Sequence, residues 1–222
     1  VANDDLGTIA QACRDMPLLT GGSALAMPLP QLYSRDGLLD LKAAQSHHRA
    51  PQETTLILSG SCSEMTNKQV ARYLATGAPA YRLDPLTLAD QGEQAVLDWI
   101  AQQDMRNAPL VYATSDPASV RAAQQKLGVA EAGALVEATL ARCAIAGRDA
   151  GARRFIVAGG ETSGAVTQAL GVNALDIGPE IAPGVPWTFC ESNGTRLALT
   201  LKSGNFGAES FFLDAQDVLD SL

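Results

Sequence analysis

Short apolar runs alternate with longer stretches in which apolar residues recur every three or four positions, and this alternation persists over most of the chain. Leu6, Ile9, Ala10 and Cys13 share one face of a first helix, which Asp4 or Asp5 can cap and Pro17 ends. Gly21-Gly22-Ser23 precedes a second apolar helical stretch around 24–27, and the composition from 34 to 53 turns polar, irregular and linker-like. Residues 54–59 form the clearest strand, β-branched and apolar throughout, as expected of a strand covered on both faces. A helix through Val70, Tyr73 and Leu74 stops at Gly77, a strand is expected at 80–83, and one helix is expected from about 87 to 103. A strand at 110–114 precedes Asp116-Pro117, a cap followed by a first-position proline. A long helix over about 130–150, a strand at 154–158 and a helix to Leu170 follow. Three closely spaced strands (174–177, 188–191, 197–201) and a helix around 208–219 complete the pattern. The pattern predicts an α/β fold: a layered, mostly parallel sheet flanked by helices, with a short antiparallel element near the C-terminus.

Length and composition narrow the class. With 222 residues, 24 acidic and 16 basic, the chain carries a formal net charge of −8. It is long enough to bury a core without disulfides or a metal. The acidic balance, with no basic run, argues against a nucleic-acid or anionic-membrane partner. Its apolar runs, such as Leu56-Ile57-Leu58, are strand-sized rather than the ~20 residues of a membrane span. No signal peptide is visible, and the opening at Val1 without a Met reads as a processed chain or an excised part of something longer. Cys13, Cys62, Cys143 and Cys190 lack every zinc-site spacing, so reduced thiols in a cytoplasmic protein are expected, and no metal ligand set is assigned. His47 and His48 sit in a loop-like segment and read as solvated residues, which leaves no histidine-based catalytic centre.

In an open α/β sheet, ligands bind where strands run into the following helices. Gly60-Ser61-Cys62-Ser63, Gly159-Gly160-Glu161-Thr162-Ser163-Gly164 and Lys202-Ser203-Gly204-Asn205-Phe206-Gly207 each follow an expected strand. Glycine lets the backbone approach an anion, and free N–H groups at a helix start favour phosphate. Hydroxyls of Ser61, Ser63, Thr162 and Ser163 add donors. The bland alternative is that these glycines and hydroxyls only make turns and caps. Neither the P-loop nor the dinucleotide fingerprint occurs. Glu161 fits equally as a first-turn acid stabilised by the helix dipole, Arg153-Arg154 as solvation of the strand entrance, and Asp176, Glu180 and Glu191 are too scattered to pair. No pair of clustered carboxylates is apparent. These residues alone stop at a soluble α/β domain that binds something phosphorylated.

Thr20-Gly21-Gly22-Ser23, then Ser59-Gly60-Ser61-Cys62-Ser63 with Thr66 and Gln69, then the 159–164 and 202–207 loops occur in this order, with Gly178-Pro179-Glu180 through Trp187 between the last two. This set resembles the C-terminal, nucleotide-binding domain of the four-carbon acid sugar kinases, which act on 3-oxo-tetronates, D-threonate and D-erythronate. The resemblance covers nearly the whole chain and implies one nucleotide-binding α/β domain over 1–222. It implies phosphoryl transfer from ATP, with Mg2+, to a hydroxyl of the acid. It also implies nucleotide contacts from Ser59, Gly60 and Ser61, from Gly159, Gly160, Glu161, Thr162 and Ser163, and from Gly204 with Asn205. Lys202 becomes a candidate point charge for a phosphate, and Glu161 a holder of a magnesium-bound water or a ribose hydroxyl. The family's N-terminal acid-sugar-binding domain is expected to lie outside this chain, so the catalytic base is unassigned and the chain alone is expected to bind ATP or ADP without turnover. Association into a homo-oligomer stays open. The alternatives are a nucleotide-sensing or phosphate-binding module without catalysis and a Rossmann-type oxidoreductase, the latter lacking its phosphate fingerprint.

Overall fold

The computed structural model describes residues 2–40, 50–115 and 117–221. His47, His48 and Asp116 lie outside the described residues. The chain divides into two units, Val1–His47 and His48–Leu222.

The first unit contains α1 (Asn3–Ala12), a 3-10 turn (Ser23–Ala26) and α2 (Leu29–Arg35). Asp5 does not cap α1 from outside. It lies in the first turn and accepts the Ala2 N–H at 2.8 Å, so Ala2 is the cap position. Pro28 and Pro30 do not break α2, because they fall where a helix needs no N–H donor. Ala10 and Leu32 are buried, whereas Met16, Leu18, Met27 and Leu38 are all more than half exposed.

The second unit begins with β1 (Thr55–Ser59), α3 (Glu64–Leu74), β2 (Ala80–Arg82), α4 (Pro85–Gln91), α5 (Gln94–Ala101) and β3 (Leu110–Tyr112). It continues with α6 (Pro117–Leu127), α7 (Val129–Asp149), β4 (Arg154–Ala158) and α8 (Gly160–Ala169). The last elements are β5 (Asp176–Ala182), β6 (Val185–Ser192), β7 (Thr195–Lys202) and α9 (Phe211–Asp220). The strands form one sheet in the order β2-β3-β1-β4-β7-β6-β5. Pairing is parallel from β2 through β7 and antiparallel from β7 through β6 to β5. The expected fold class is therefore the observed one.

Every residue of β1 and β4 is buried, and the two strands run in register with Ile57 opposite Ile156 and Leu58 opposite Val157. Successive side chains point to opposite faces. Leu56, Leu58, Phe155 and Val157 enter one core with Val96 and Ile100 of α5 and Leu140 and Cys143 of α7. Ile57 and Ile156 enter a second core with Tyr73 of α3, Trp187 and Phe189 of β6, and Phe211 and Phe212 of α9. Burying a leucine such as Leu58 on either face is worth roughly 1.5–3 kcal/mol, so the two helical layers hold the strand ends firmly. The Cys143 and Cys190 thiols are core groups, pushed up to about 12 and about 11 by burial.

Several expected boundaries shift. The helix expected over 87–103 is two helices, broken at Gly92, where φ is +73°. Strand β3 stops before Thr114, and β5 covers 176–182 rather than 174–177. Arg154 does not solvate the strand entrance: it is buried, ion-paired with Asp220 and bonded to the Pro51 carbonyl. That pair ties α9 to the start of β4.

Candidate functional site

The neighbouring strands β1, β4 and β7 send their chains to alternate faces. Past β1 the chain enters α3 on the second core's side, past β4 it enters α8 on the first core's side, and past β7 it returns to the second. Loops that part in this way leave a crevice at the carboxyl edge of the sheet. A cavity of about 770 Å³ opens there.

One end of the cavity is polar backbone. Gly60, Ser61 and Cys62 line it from the loop after β1, and Gly159, Gly160, Glu161 and Thr162 from the start of α8. These two loops are stitched together below the surface: the N–H groups of Gly60 and Ser61 both donate to the Ala158 carbonyl, at 3.0 and 3.1 Å. Glycine is required at this junction. A Cβ on Gly60 would collide with Oγ1 of Thr162, and one on Gly159, at φ +131°, would lie 3.2 Å from the Ser61 nitrogen. Gly160 differs, because a Cβ there would meet nothing within 4 Å. Toward β2 the lining is mixed: Leu83 and Leu86 near α4, Val120 and Ala123 of α6 and Val129 of α7 lie among Arg82, Asp84 and Ser115.

The expected site residues divide accordingly. Gly60, Ser61, Gly159, Gly160, Glu161 and Thr162 line one cavity, whereas Ser59, Ser163, Gly204 and Asn205 are not among its lining residues. Ser59 is fully buried, and its hydroxyl is 2.7 Å from that of Thr114. Thr114 in turn donates to the Ser61 carbonyl at 2.8 Å, so the pair supports the loop from beneath. Ser163 returns its hydroxyl to the Gly159 carbonyl at 2.7 Å. Gly204 packs on the first loop: its Cβ would fall 2.8 Å from Oγ of Ser61 and 2.9 Å from Cβ of Ser63. Asn205 is exposed beside it.

Lys202 is not a free point charge. It is buried, and its ammonium donates to Oγ1 of Thr66 at 3.0 Å and to the Gly204 carbonyl at 2.8 Å. Burial pushes its pKa down to about 8.

Two charged features escaped sequence reading. Glu137, in the middle of α7, meets Glu161 across the cavity wall. Burial first, then the charge of Glu161 and a hydrogen bond to it, hold the Glu137 carboxyl above its ordinary range. The expectation of no clustered carboxylate pair is thus corrected: the fold joins two acids from different helices. Arg82, at the end of β2, is the cation among the described lining residues, and it donates to Oγ of Ser115 at 3.0 Å. Its place at a strand's carboxyl end was the available signal. For Glu137 the signal was faint, since an acid inside a long helix usually faces water. Among the described residues no group of three or more metal-ligating side chains occurs, and no helix is long and apolar enough to cross a membrane.

A parallel sheet with a crevice at its switch in chain direction, floored by glycine loops, defines a nucleotide-binding α/β domain in class. Residues 56–212 match the family described as the nucleotide-binding C-terminal domain, and the chain belongs to it. It is 50% identical over 216 residues to a 3-oxo-tetronate kinase of Cupriavidus necator, covering 97% of this chain and 50% of that protein. A 3-oxo-tetronate kinase of Pseudomonas fluorescens is likewise 50% identical, over 97% of this chain and 50% of its own length. A solved structure from Salmonella typhimurium LT2 superposes with a TM-score of 0.81 at 40% identity, covering 97% of this chain and 50% of that one. The chain therefore spans about half the length of the curated relatives it matches.

Proposed function

We propose that this chain is the nucleotide-binding half of an ATP-dependent kinase that phosphorylates a four-carbon acid sugar, with 3-oxo-tetronate the acceptor its relatives' names indicate. The observation that carries this reading is the cavity with two unlike ends on one sheet edge. The apolar side chains toward β2 suit the faces of a flat base, and the polar ones among them its edge. The first turn of α8, Gly160 to Thr162, has no intrahelical acceptors for its N–H groups and can offer them to a polyphosphate chain, while the glycines let the backbone come close. Phosphoryl transfer demands positioning and charge neutralisation more than covalent chemistry from the protein. Gly60, Ser61, Gly159, Gly160 and Thr162 would contact phosphates, while Ser59, Ser163 and the Gly204-Asn205 turn would hold those loops in place.

Glu137 and Glu161 form an all-oxygen pair on the cavity wall, the donor type that suits Mg2+ bound largely through water. When bound, the ion neutralises phosphate oxygens. The groups that hold the acceptor's carboxylate and the base that deprotonates its hydroxyl would come from the other half of the enzyme, working in the cytoplasm.

Ligand binding stabilises a fold by RT ln(1 + [L]/Kd), about 2.7 kcal/mol at a hundredfold excess over Kd. A melting series with ATP, ADP, GTP and NAD at millimolar concentration is expected to raise Tm with adenine nucleotides only, more so with Mg2+. No shift with any of them overturns the nucleotide reading. A coupled assay of ADP release with 3-oxo-tetronate, threonate and erythronate is expected to stay at the hydrolysis background for this chain alone. Robust substrate-dependent release would move the acceptor site into this half.

A further inference from the structure

Lys202 is 1% exposed, and among the described residues no carboxylate pairs with it. A lysine buried without a counter-ion is costly unless its donors are satisfied. Its three N–H donors reach Oγ1 of Thr66 (3.0 Å), the Gly204 carbonyl (2.8 Å) and, at 3.4 Å, the Ser203 carbonyl. The Phe211 ring of α9 lies 5.9 Å from the ammonium. The Thr66 hydroxyl has no capacity to spare: it donates to the Gly204 carbonyl at 2.8 Å and accepts from Lys202 and from Oγ of Ser63 at 3.0 Å. One turn along α3, the fully buried Gln69 points its amide at three further carbonyls, Phe206 at 3.0 Å, Gly207 at 3.4 Å and Ala208 at 2.9 Å. The 203–208 segment thus has its carbonyls collected by one buried cation and two side chains of α3. The same segment presses Gly204 onto Ser61 and Ser63.

We propose that Lys202 is a positioning residue for nucleotide binding: with Thr66 and Gln69 it clamps the 203–208 segment against the loop after β1 and so sets the shape of the cavity's polar end. This rests on the nucleotide reading above. It assigns Lys202 no contact with the ligand. The clamp needs the ammonium, because a neutral amine loses one donor and the charge that attracts the carbonyl oxygens. The groups facing it are Thr66 from α3, Phe211 from α9 and the carbonyls of Ser203 and Gly204, and none of these titrates. With a pKa pushed down to about 8, Lys202 deprotonates in the folded chain well below its ordinary value of 10.5. Two opposite trends follow. Global stability gains from Lys202 as pH rises above about 8, because the unfolded chain then holds the proton that the folded chain has released. Clamping, and with it nucleotide affinity, falls over the same range.

Three measurements on the whole chain test this. Titration of the wild type with ADP from pH 7 to 9 is expected to show affinity falling about tenfold past pH 8, and the Lys202→Met variant is expected to bind at least tenfold more weakly with no such break. The variant is expected to keep its circular dichroism and melt no earlier, since an apolar side chain of similar length replaces a buried charge. Equal affinity in the variant, or a flat wild-type profile, overturns the clamp. Should Lys202→Met not fold, Thr66→Val and the wild-type pH profile decide in its place. Hydrogen exchange of the 203–208 amides in the free chain separates this idea from the nucleotide reading. Protection factors, corrected for intrinsic rates, are expected to drop past pH 8 even where no nucleotide binds, and constant protection overturns the clamp.

Discussion

The loops after β4 and β7 look alike in one dimension and do different work in three. Each follows a buried parallel strand, each carries glycines with small hydroxyl residues, and each runs on toward a helix on one side of the sheet. The 159–162 loop borders the cavity directly. The 203–207 loop sits behind the loop after β1, pressed onto Ser61 and Ser63, and is tied by Lys202, Thr66 and Gln69. One loop is a wall of the cavity and the other a buttress. A glycine-rich strand exit therefore marks close backbone approach, and whether it approaches a ligand or another loop depends on its neighbours.

Substituting the wall is expected to have the largest effect. Gly160→Val adds a side chain where no protein atom lies within 4 Å, so the chain is expected to fold normally. Nucleotide affinity is expected to fall about a hundredfold or more, equivalent to ~2.7 kcal/mol. Calorimetric titration and circular dichroism on one sample check both halves, and unchanged affinity would remove the 159–162 loop from the site. The buttress is expected to respond differently. Gly204→Ala forces Ser61 or Ser63 to shift, so stability is expected to drop by about 1–3 kcal/mol. Affinity would fall through the displaced neighbour, by roughly tenfold. An affinity loss as large as that of Gly160→Val, with no loss of stability, would make this loop a wall as well.

The smallest effect sharpens the wall itself. The Glu137 carboxyl is held above its ordinary range by burial and by Glu161, so its ionisation works against folding. The folded chain keeps the proton to higher pH than the unfolded chain. Stability relative to Glu137→Gln therefore falls as pH rises through the interval between the ordinary and the raised value. At pH 7 the Gln variant is expected to melt slightly higher, by less than about 1 kcal/mol for so accessible a pair, with the gap closing at low pH and in high salt. Adding Mg2+ and ATP is expected to reverse the ranking. A variant that is less stable at pH 7 would mean the two acids are not in mutual repulsion.

Sequence reading located the buried strands well because their residues are apolar on both faces, a signal that survives without knowledge of neighbours. It joined α4 and α5 across Gly92 because Leu88, Val96 and Ile100 all face the same core, so the apolar period runs on through the break. It does not find α2, whose seven residues bury one apolar side chain, Leu32, too few for a period to show. Among site residues, the glycine loops were legible from their hydroxyls and their positions after strands. Arg154 and Lys202 look solvent- or ligand-facing in sequence because charged side chains usually are, and both are internal ties.

What the sequence determined by itself is local: where strands and helices form, which strand exits carry glycine and hydroxyl groups, and the family its ordered motifs indicate. Tertiary structure alone decided which exits share a cavity, that Glu137 meets Glu161 across 24 residues of chain, and that Lys202 is buried beneath the site rather than open to it. The reason lies in range. Propensity, capping and turn chemistry act within a few residues, whereas contacts, desolvation and shifted acidities arise only when distant elements pack and exclude water.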